Sequence, residues 1–215
     1  MTQRVAVFMD YQNVYRRARE AFGLTEDPAS SGQIYPMRVA KLITERRNEP
    51  SELVAVRIYR GLPQSNRDSK AYGAARAQIS KWERSDARLQ VITRSLRYPY
   101  GWPDGCGAEK PEEKGIDVSL AIDFAAMAVR GQYDVGVIFS GDSDLKPALE
   151  FVSSYDVNAK AEAAAWLPPK RMKLHPQRLT LDRRSLWCHN LNEVDFEAVR
   201  DDQDFTAPSP RLPGF

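Results

Sequence analysis

Apolar residues fall along this chain in short runs separated by stretches of helical spacing. Val5 to Met9 is apolar without alternation, which predicts a strand buried on both faces. Val14, Ala18, Ala21 and Phe22 follow on one helical stripe. Leu24 to Tyr35 reads as loop, and Pro36 opens a second helix with Val39, Leu42 and Ile43 inward. Leu53 to Tyr59 predicts a second strand, and Leu89 to Thr93 a third. Between them, Ser69 to Ser85 predicts a helix with Ala71, Tyr72, Ala75, Ile79 and Trp82 at helical spacing, its aromatics expected in the core. Gly115 to Arg130 predicts a helix with Val118, Ala121, Ile122, Ala125 and Val129 inward, apolar enough to suggest deep burial. Val135 to Phe139 predicts a fourth strand, rich in β-branched residues, and Leu145 to Ser154 a helix. Val157 to Ala163 predicts a polar edge strand. Beyond it, Ser185 to Leu191 is an apolar island expected to dock on the domain, and Val194 to Val199 a short helix.

Strands alternating with helices predict an α/β fold of three layers, α/β/α, around a mostly parallel sheet of about five strands. Residues 1–165 are expected to form the domain and 166–200 a basic extension docked on it. Residues 201–215, broken by proline and glycine, are expected to be a disordered tail.

Net charge is +2, which alone does not indicate a polyanionic partner; its distribution says more. Residues 115–156 carry seven acids and two bases, whereas residues 160–190 carry seven bases and two acids. Such a split suits an acidic site beside a basic cradle. Cys106 and Cys188 are the two cysteines and form no framework, no signal-peptide pattern opens the chain, and no apolar run is long enough to span a membrane. The expectation is a cytoplasmic protein with reduced thiols and no membrane contact. Oligomeric state stays open, a homo-oligomer included.

The candidate chemistry lies at strand ends. Asp10 ends the first strand, and Asn13 follows three residues later. Asp142 and Asp144 follow the fourth strand, after Ser140 and Gly141. Asp117 opens the helix that leads into that strand. Helix capping would account for Asp10 and Asp142 individually. Together, four carboxylates from three distant segments can meet at one sheet edge, where open α/β sheets bind ligands. Oxygen-only donors suit Mg²⁺ or Mn²⁺, and such a site can serve phosphodiester hydrolysis. Asp123, six residues after Asp117, does not share its face and is read as either supporting the site from behind or serving the fold. The loop from Arg94 to Lys114 interleaves Arg94, Arg97, Tyr98, Tyr100 and Trp102 with glycines and prolines. It suits stacking on single-stranded bases or a self-packed lid. With the basic 170–184 segment, it is the expected path of single-stranded RNA.

Three segments, VFMDYQNV at 7–14, KGIDVSLAIDFAAMA at 114–128 and VIFSGDSDLKPALEFV at 137–152, together resemble the NYN domain family, a branch of the PIN-like nucleases. The resemblance implies a metal-dependent endoribonuclease with Asp10, Asp117, Asp142 and Asp144 as catalytic metal-site acids. It suggests Asn13, Lys114 and Ser140 as supporting groups near metal or phosphate. The alternative is a non-catalytic RNA-binding or regulatory module on the same fold. A phosphatase reading of the first strand would need an acid at the position of Gln12, and a zinc reading would need Cys106, Cys188, His175 and His189 together.

Overall fold

The computed structural model describes residues 1–154, 157–182 and 184–207. The chain runs β1 (Gln3–Asp10), α1 (Tyr11–Phe22), α2 (Pro36–Glu45), β2 (Ser51–Leu62), α3 (Ser69–Ser85) and β3 (Leu89–Ser95). It continues through α4 (Ile116–Val129), β4 (Val135–Phe139), α5 (Lys146–Ser154), β5 (Lys160–Trp166), β6 (Cys188–Leu191) and α6 (Glu193–Val199). No helix among the described residues is long and apolar enough to cross a membrane.

The strands form one sheet in the order β3-β2-β1-β4-β5-β6, and every neighbouring pair is parallel. Parallel pairing requires long crossovers, which α1 to α5 supply. The chain steps outward from β1 to β3, then returns to lay β4 on the free side of β1. That reversal opens a crevice between the C-terminal ends of β1 and β4, where Met9 pairs with Phe139. Asp10 and Ser140 come immediately after those partners.

Side chains of β1 alternate between two cores. Val5, Val7 and Met9 pack with α1, α2 and α6, while Ala6 and Phe8 pack with α4 and α5. Phe8 meets the rings of Phe124 and Tyr133 edge-on at 5.1 and 5.8 Å. Gly136 of β4 lies under those rings; a Cβ there would come within 2.6 Å of Phe124 and 2.7 Å of Tyr133. On the opposite face Trp166 donates its Nε1–H to the Val14 carbonyl at 2.9 Å and meets Phe196 edge-on at 5.5 Å. The C-terminal segment thus contributes a strand, a helix and buried aromatic surface.

The parallel α/β sheet is the one expected, with six strands: His189 and Leu191 of the expected island are buried in β6. Three finer expectations are corrected. The fifth strand is Lys160–Trp166 and lies inside the sheet rather than at its edge. Its polarity misled because Glu162 is buried as a partner, accepting bonds from Arg47 and from His189 Nε2, the latter at 2.8 Å. Arg47 in turn donates to Gln3 and Ser51 at the starts of β1 and β2. Next, α4 is rotated from the expected face: Ile116, Leu120, Phe124 and Met127 are buried, whereas Val118, Ile122 and Val129 are 59%, 61% and 60% exposed. A helix apolar all round offers two stripes, and the one carrying Phe124 fills the space above Gly136. Finally, Asp201 is buried and holds Lys81 at 3.1 Å, so the expected tail begins as packed chain; residues 208–215 of that tail, and Arg183 of the basic segment, lie outside the described residues.

Because Phe196 has no exposed surface and stacks on Phe22 at 4.9 Å, Phe196→Ala should cost about 3–5 kcal/mol of stability. Urea unfolding of the full chain measures this, and a loss within error of zero would remove α6 from the core.

Candidate active site

Asp10 closes β1 and caps α1, its Oδ1 accepting from the Asn13 N–H at 3.2 Å. Its Oδ2 accepts from the Ser140 hydroxyl at 3.2 Å. Ser140 Oγ accepts from the Asp142 N–H at 3.1 Å, and Asp142 Oδ1 accepts from the Asp144 N–H at 3.0 Å. Asn13 Oδ1 takes the Gly141 N–H at 2.9 Å, tying the first turn of α1 to the turn after β4. Two of these bonds, Ser140 to Asp10 and Gly141 to Asn13, cross the β1/β4 junction and fix the two acidic tips against each other. The capping roles are therefore real, and they coexist with convergence.

Asp117 enters from the opposite helical layer. Gly115 has a φ of 74°, a left-handed conformation that turns the chain out of the long loop into α4. Asp117 then lies in the first helical turn, where a carboxylate is favoured. Its carboxyl is raised above the usual range by burial, then by the charges of Asp142 and Asp144. Asp10 is 4% exposed. Burial pushes its pKa up to about 7, with Asp117 and Glu113 adding to the rise against the Asn13 and Ser140 bonds. Asp117 thus lies between the others: its charge reaches Asp10, and the charges of Asp142 and Asp144 reach it.

A model of the NYN domain matches residues 4–166. The chain belongs to the NYN domain family. It is also similar in structure to a protein of unknown function from Vibrio parahaemolyticus, with 21% identity and a TM-score of 0.47 over 76% of this chain and 81% of that one. No curated protein matches it.

In this NYN domain the supporting residues divide. The Ser140 hydroxyl donates to Asp10, and the Asn13 side chain accepts from the Gly141 N–H of the acidic turn. Lys114 instead extends to Glu112 at 3.1 Å, with both side chains largely exposed. Asp123 accepts from the buried Tyr59 hydroxyl at 2.8 Å and serves the α4–β2 contact. His189 is spent on Glu162, and His175 lies beside Arg17 in a separate hollow of about 190 Å³. In the 94–114 loop Tyr98 and Trp102 pack on each other at 5.7 Å, whereas Tyr100 is fully exposed.

Sequence reasoning missed Glu113. Its carboxylate accepts from the Gly61 N–H at the end of β2 and is raised by burial, with Asp117 adding to the rise and Arg16 and Arg60 opposing it. The signal was there: an acid beside Lys114 and four residues before Asp117. A loop dense in charge and proline hid it, because nothing in the sequence shows that β2 reaches Gly61.

Among the described residues, no three His, Cys, Asp or Glu side chains are gathered closely enough to form a ready metal cage. Mg²⁺ usually takes only one or two carboxylates and keeps several waters, so a closed cage is not required. The donors are all oxygen, and no cation is among the groups that shift Asp10 or Asp117. In kind and in charge, this set fits a hard divalent cation.

Without metal, the folded protein holds a proton on Asp10 between about pH 4 and 7 that the unfolded chain releases. Stability from this group is therefore present at the acid end and lost as pH rises through about 7. Asp10→Asn keeps the helix cap and removes the titration. Thermal melts in EDTA should show the variant melting higher than wild type at pH 8, with a flatter profile from pH 5 to 8. A lower melting temperature at pH 8 would contradict the buried, uncompensated Asp10.

Proposed function

We propose that this protein is a metal-dependent endoribonuclease working at Asp10, Asp117, Asp142 and Asp144. The observation that carries the reading is the bonded β1/β4 junction, where Ser140 joins the buried Asp10 to the Asp142 turn and Asp117 at the head of α4 lies within reach of the charges of Asp142 and Asp144. Membership of the NYN family points to the same chemistry. Asp10, Asp117, Asp142 and Asp144 would hold Mg²⁺ or Mn²⁺. A bound divalent ion supplies phosphate charge neutralisation and lowers the pKa of water.

The chain's own part is to hold the acids where repulsion alone would scatter them. Ser140 and Asn13 brace Asp10 and the Gly141 turn from both sides of the junction. Within the turn, the Asp142 N–H is bonded to Ser140 Oγ and the Asp144 N–H to the Asp142 carboxylate, which orients that carboxylate by one of its oxygens. Asp142 and Asp144 face solvent more than Asp10 does, which leaves them open to a phosphate from outside. No histidine stands with the acids to act as a general base: His189 is buried on Glu162, and His175 lines a hollow with Arg17, Glu20 and Trp166. Attack by water on phosphorus, with the 3′-oxygen leaving, gives 5′-phosphate and 3′-hydroxyl ends. A histidine mechanism uses the RNA 2′-hydroxyl and leaves cyclic phosphate.

Incubation with mixed RNAs and Mn²⁺, followed by end-group analysis, tests the reading. Cleavage should stop in EDTA and leave 5′-phosphates. Asp142→Asn should lower kcat by about 10²–10³-fold, as loss of a single charge-stabilising group does, while His175→Ala stays near wild type. Products ending in 2′,3′-cyclic phosphate, or cleavage surviving EDTA, would falsify the assignment. RNA binding without cleavage in any divalent metal would instead leave a non-catalytic RNA-binding module.

A further inference from the structure

A cleft of about 690 Å³ opens beside the acids, between the first turns of α1, the end of β2 and the loop that precedes α4. Gln12, Gly61 and Glu113 line its inner side. Gln12 follows Asp10 by two residues at the head of α1, and Glu113 precedes Asp117 by four, so the cleft borders the two segments that carry those acids. Its volume is in the range of a ligand site and exceeds that of the hollow holding His175.

Four bases line the cleft: Arg16, Arg60, Lys110 and Lys114. Among the described residues, Arg16, Arg60 and Lys110 have no carboxylate within ion-pair distance. The Lys114–Glu112 pair is exposed, and such pairs hold their partners weakly. Arg60 is anchored under the cleft, its NH1 donating to Gln78 and its guanidinium lying 5.1 Å from the Tyr11 ring centre. Its Nε is buried without an acceptor, so the protein itself leaves this cation under-satisfied. In the basic 170–184 segment Arg171 pairs with Glu193, and Arg184 donates to the Ser153 carbonyl. In the cleft, Glu113 opposes Arg16 and Arg60 only at a range beyond an ion pair, so these cations stay open to an anion.

The cleft is also walled by Pro63, Leu96 and Pro111, flat or apolar surfaces that suit a base. The wall is fixed: Arg97 and Glu112 exchange backbone hydrogen bonds at 2.9 Å, and the Tyr98 hydroxyl accepts from the Gln64 N–H at 3.2 Å.

We propose that this cleft is the track of an unpaired RNA strand, with Arg16 and Lys110 on its phosphates and the Pro63–Leu96–Pro111 wall against a base. The proposal rests on the nuclease reading for its direction toward the acids. Single strands can splay a base into such a recess, whereas a duplex keeps its bases paired and stacked. The basic 170–184 segment is then not the main track.

Fluorescence anisotropy in EDTA, where nothing is cut, tests the track on the full chain. The probe is a fluorescein-labelled RNA ten nucleotides long with randomised sequence. The double variant Arg16→Ala, Lys110→Ala should bind at least about tenfold more weakly, with a log–log salt slope shallower by about 1.4, the value for two lost single-strand phosphate contacts. Lys170→Ala, Lys173→Ala should change either quantity far less. Equal binding of a duplex of the same length, full competition by UMP at the same concentration of phosphate, or an unchanged double variant would overturn the track. No measurable binding at low salt would overturn it too. Parallel Mn²⁺ cleavage assays separate the two claims. Metal-dependent cleavage with an unaltered double variant sinks the track alone, whereas a cleft-dependent complex that Mn²⁺ never cuts sinks the nuclease reading alone.

Discussion

An ionised carboxylate loses several kcal/mol when removed from water without a partner charge, and Asp10 is almost wholly removed from it. Two hydrogen bonds offset part of that loss, and the proton taken up near neutrality offsets more. The strain originates in topology. In the order 3-2-1-4-5-6, β1 and β4 are neighbours whose C-terminal ends mark the reversal of the sheet. Acids placed after both strands must crowd, and Asp117 at the head of α4 crowds them further. The bracing by Ser140 and Asn13 makes sense as the means of keeping that crowd in place.

The surrounding structure follows from the same junction. One wall of the site is the loop fixed by Glu112, Glu113 and Tyr98. The other side is closed by the C-terminal segment: a Cβ on Gly141 would come within 2.9 Å of the Gln177 carbonyl oxygen. Glycine at 141 therefore lets residues from beyond β5 pass close over the acidic turn. Core packing holds both sides in register. Phe8, Phe124 and Tyr133 seat α4 on the sheet, and Trp166 seats β5 under α1.

Much of this was legible in the sequence, for identifiable reasons. Buried parallel strands such as Val5–Met9 and Val135–Phe139 read as continuous apolar runs, each followed by an acid within three residues of its end. The amphipathic α1 and α3 gave their inward faces by period alone. Period failed for α4, where apolar residues surround the helix and only the bulk of Phe124 and Leu120 selects a face. It failed again for β5 and β6, because Glu162 and His189 are buried through a partner, Arg47, more than a hundred residues away. Glu113 escaped for a similar reason: its place depends on Gly61, which is distant in sequence. Pairings across long separations leave no local pattern.

The central claim is that Asp10, Asp117, Asp142 and Asp144 form one under-compensated charge group able to hold a divalent cation. Calorimetric titration of the protein with Mn²⁺ tests it most directly. The account predicts saturable binding that strengthens as pH rises through about 7, where Asp10 gives up its proton, and that Asp142→Asn greatly weakens. Binding of undiminished affinity in Asp142→Asn, or no binding in the wild-type protein at pH 8, would contradict it.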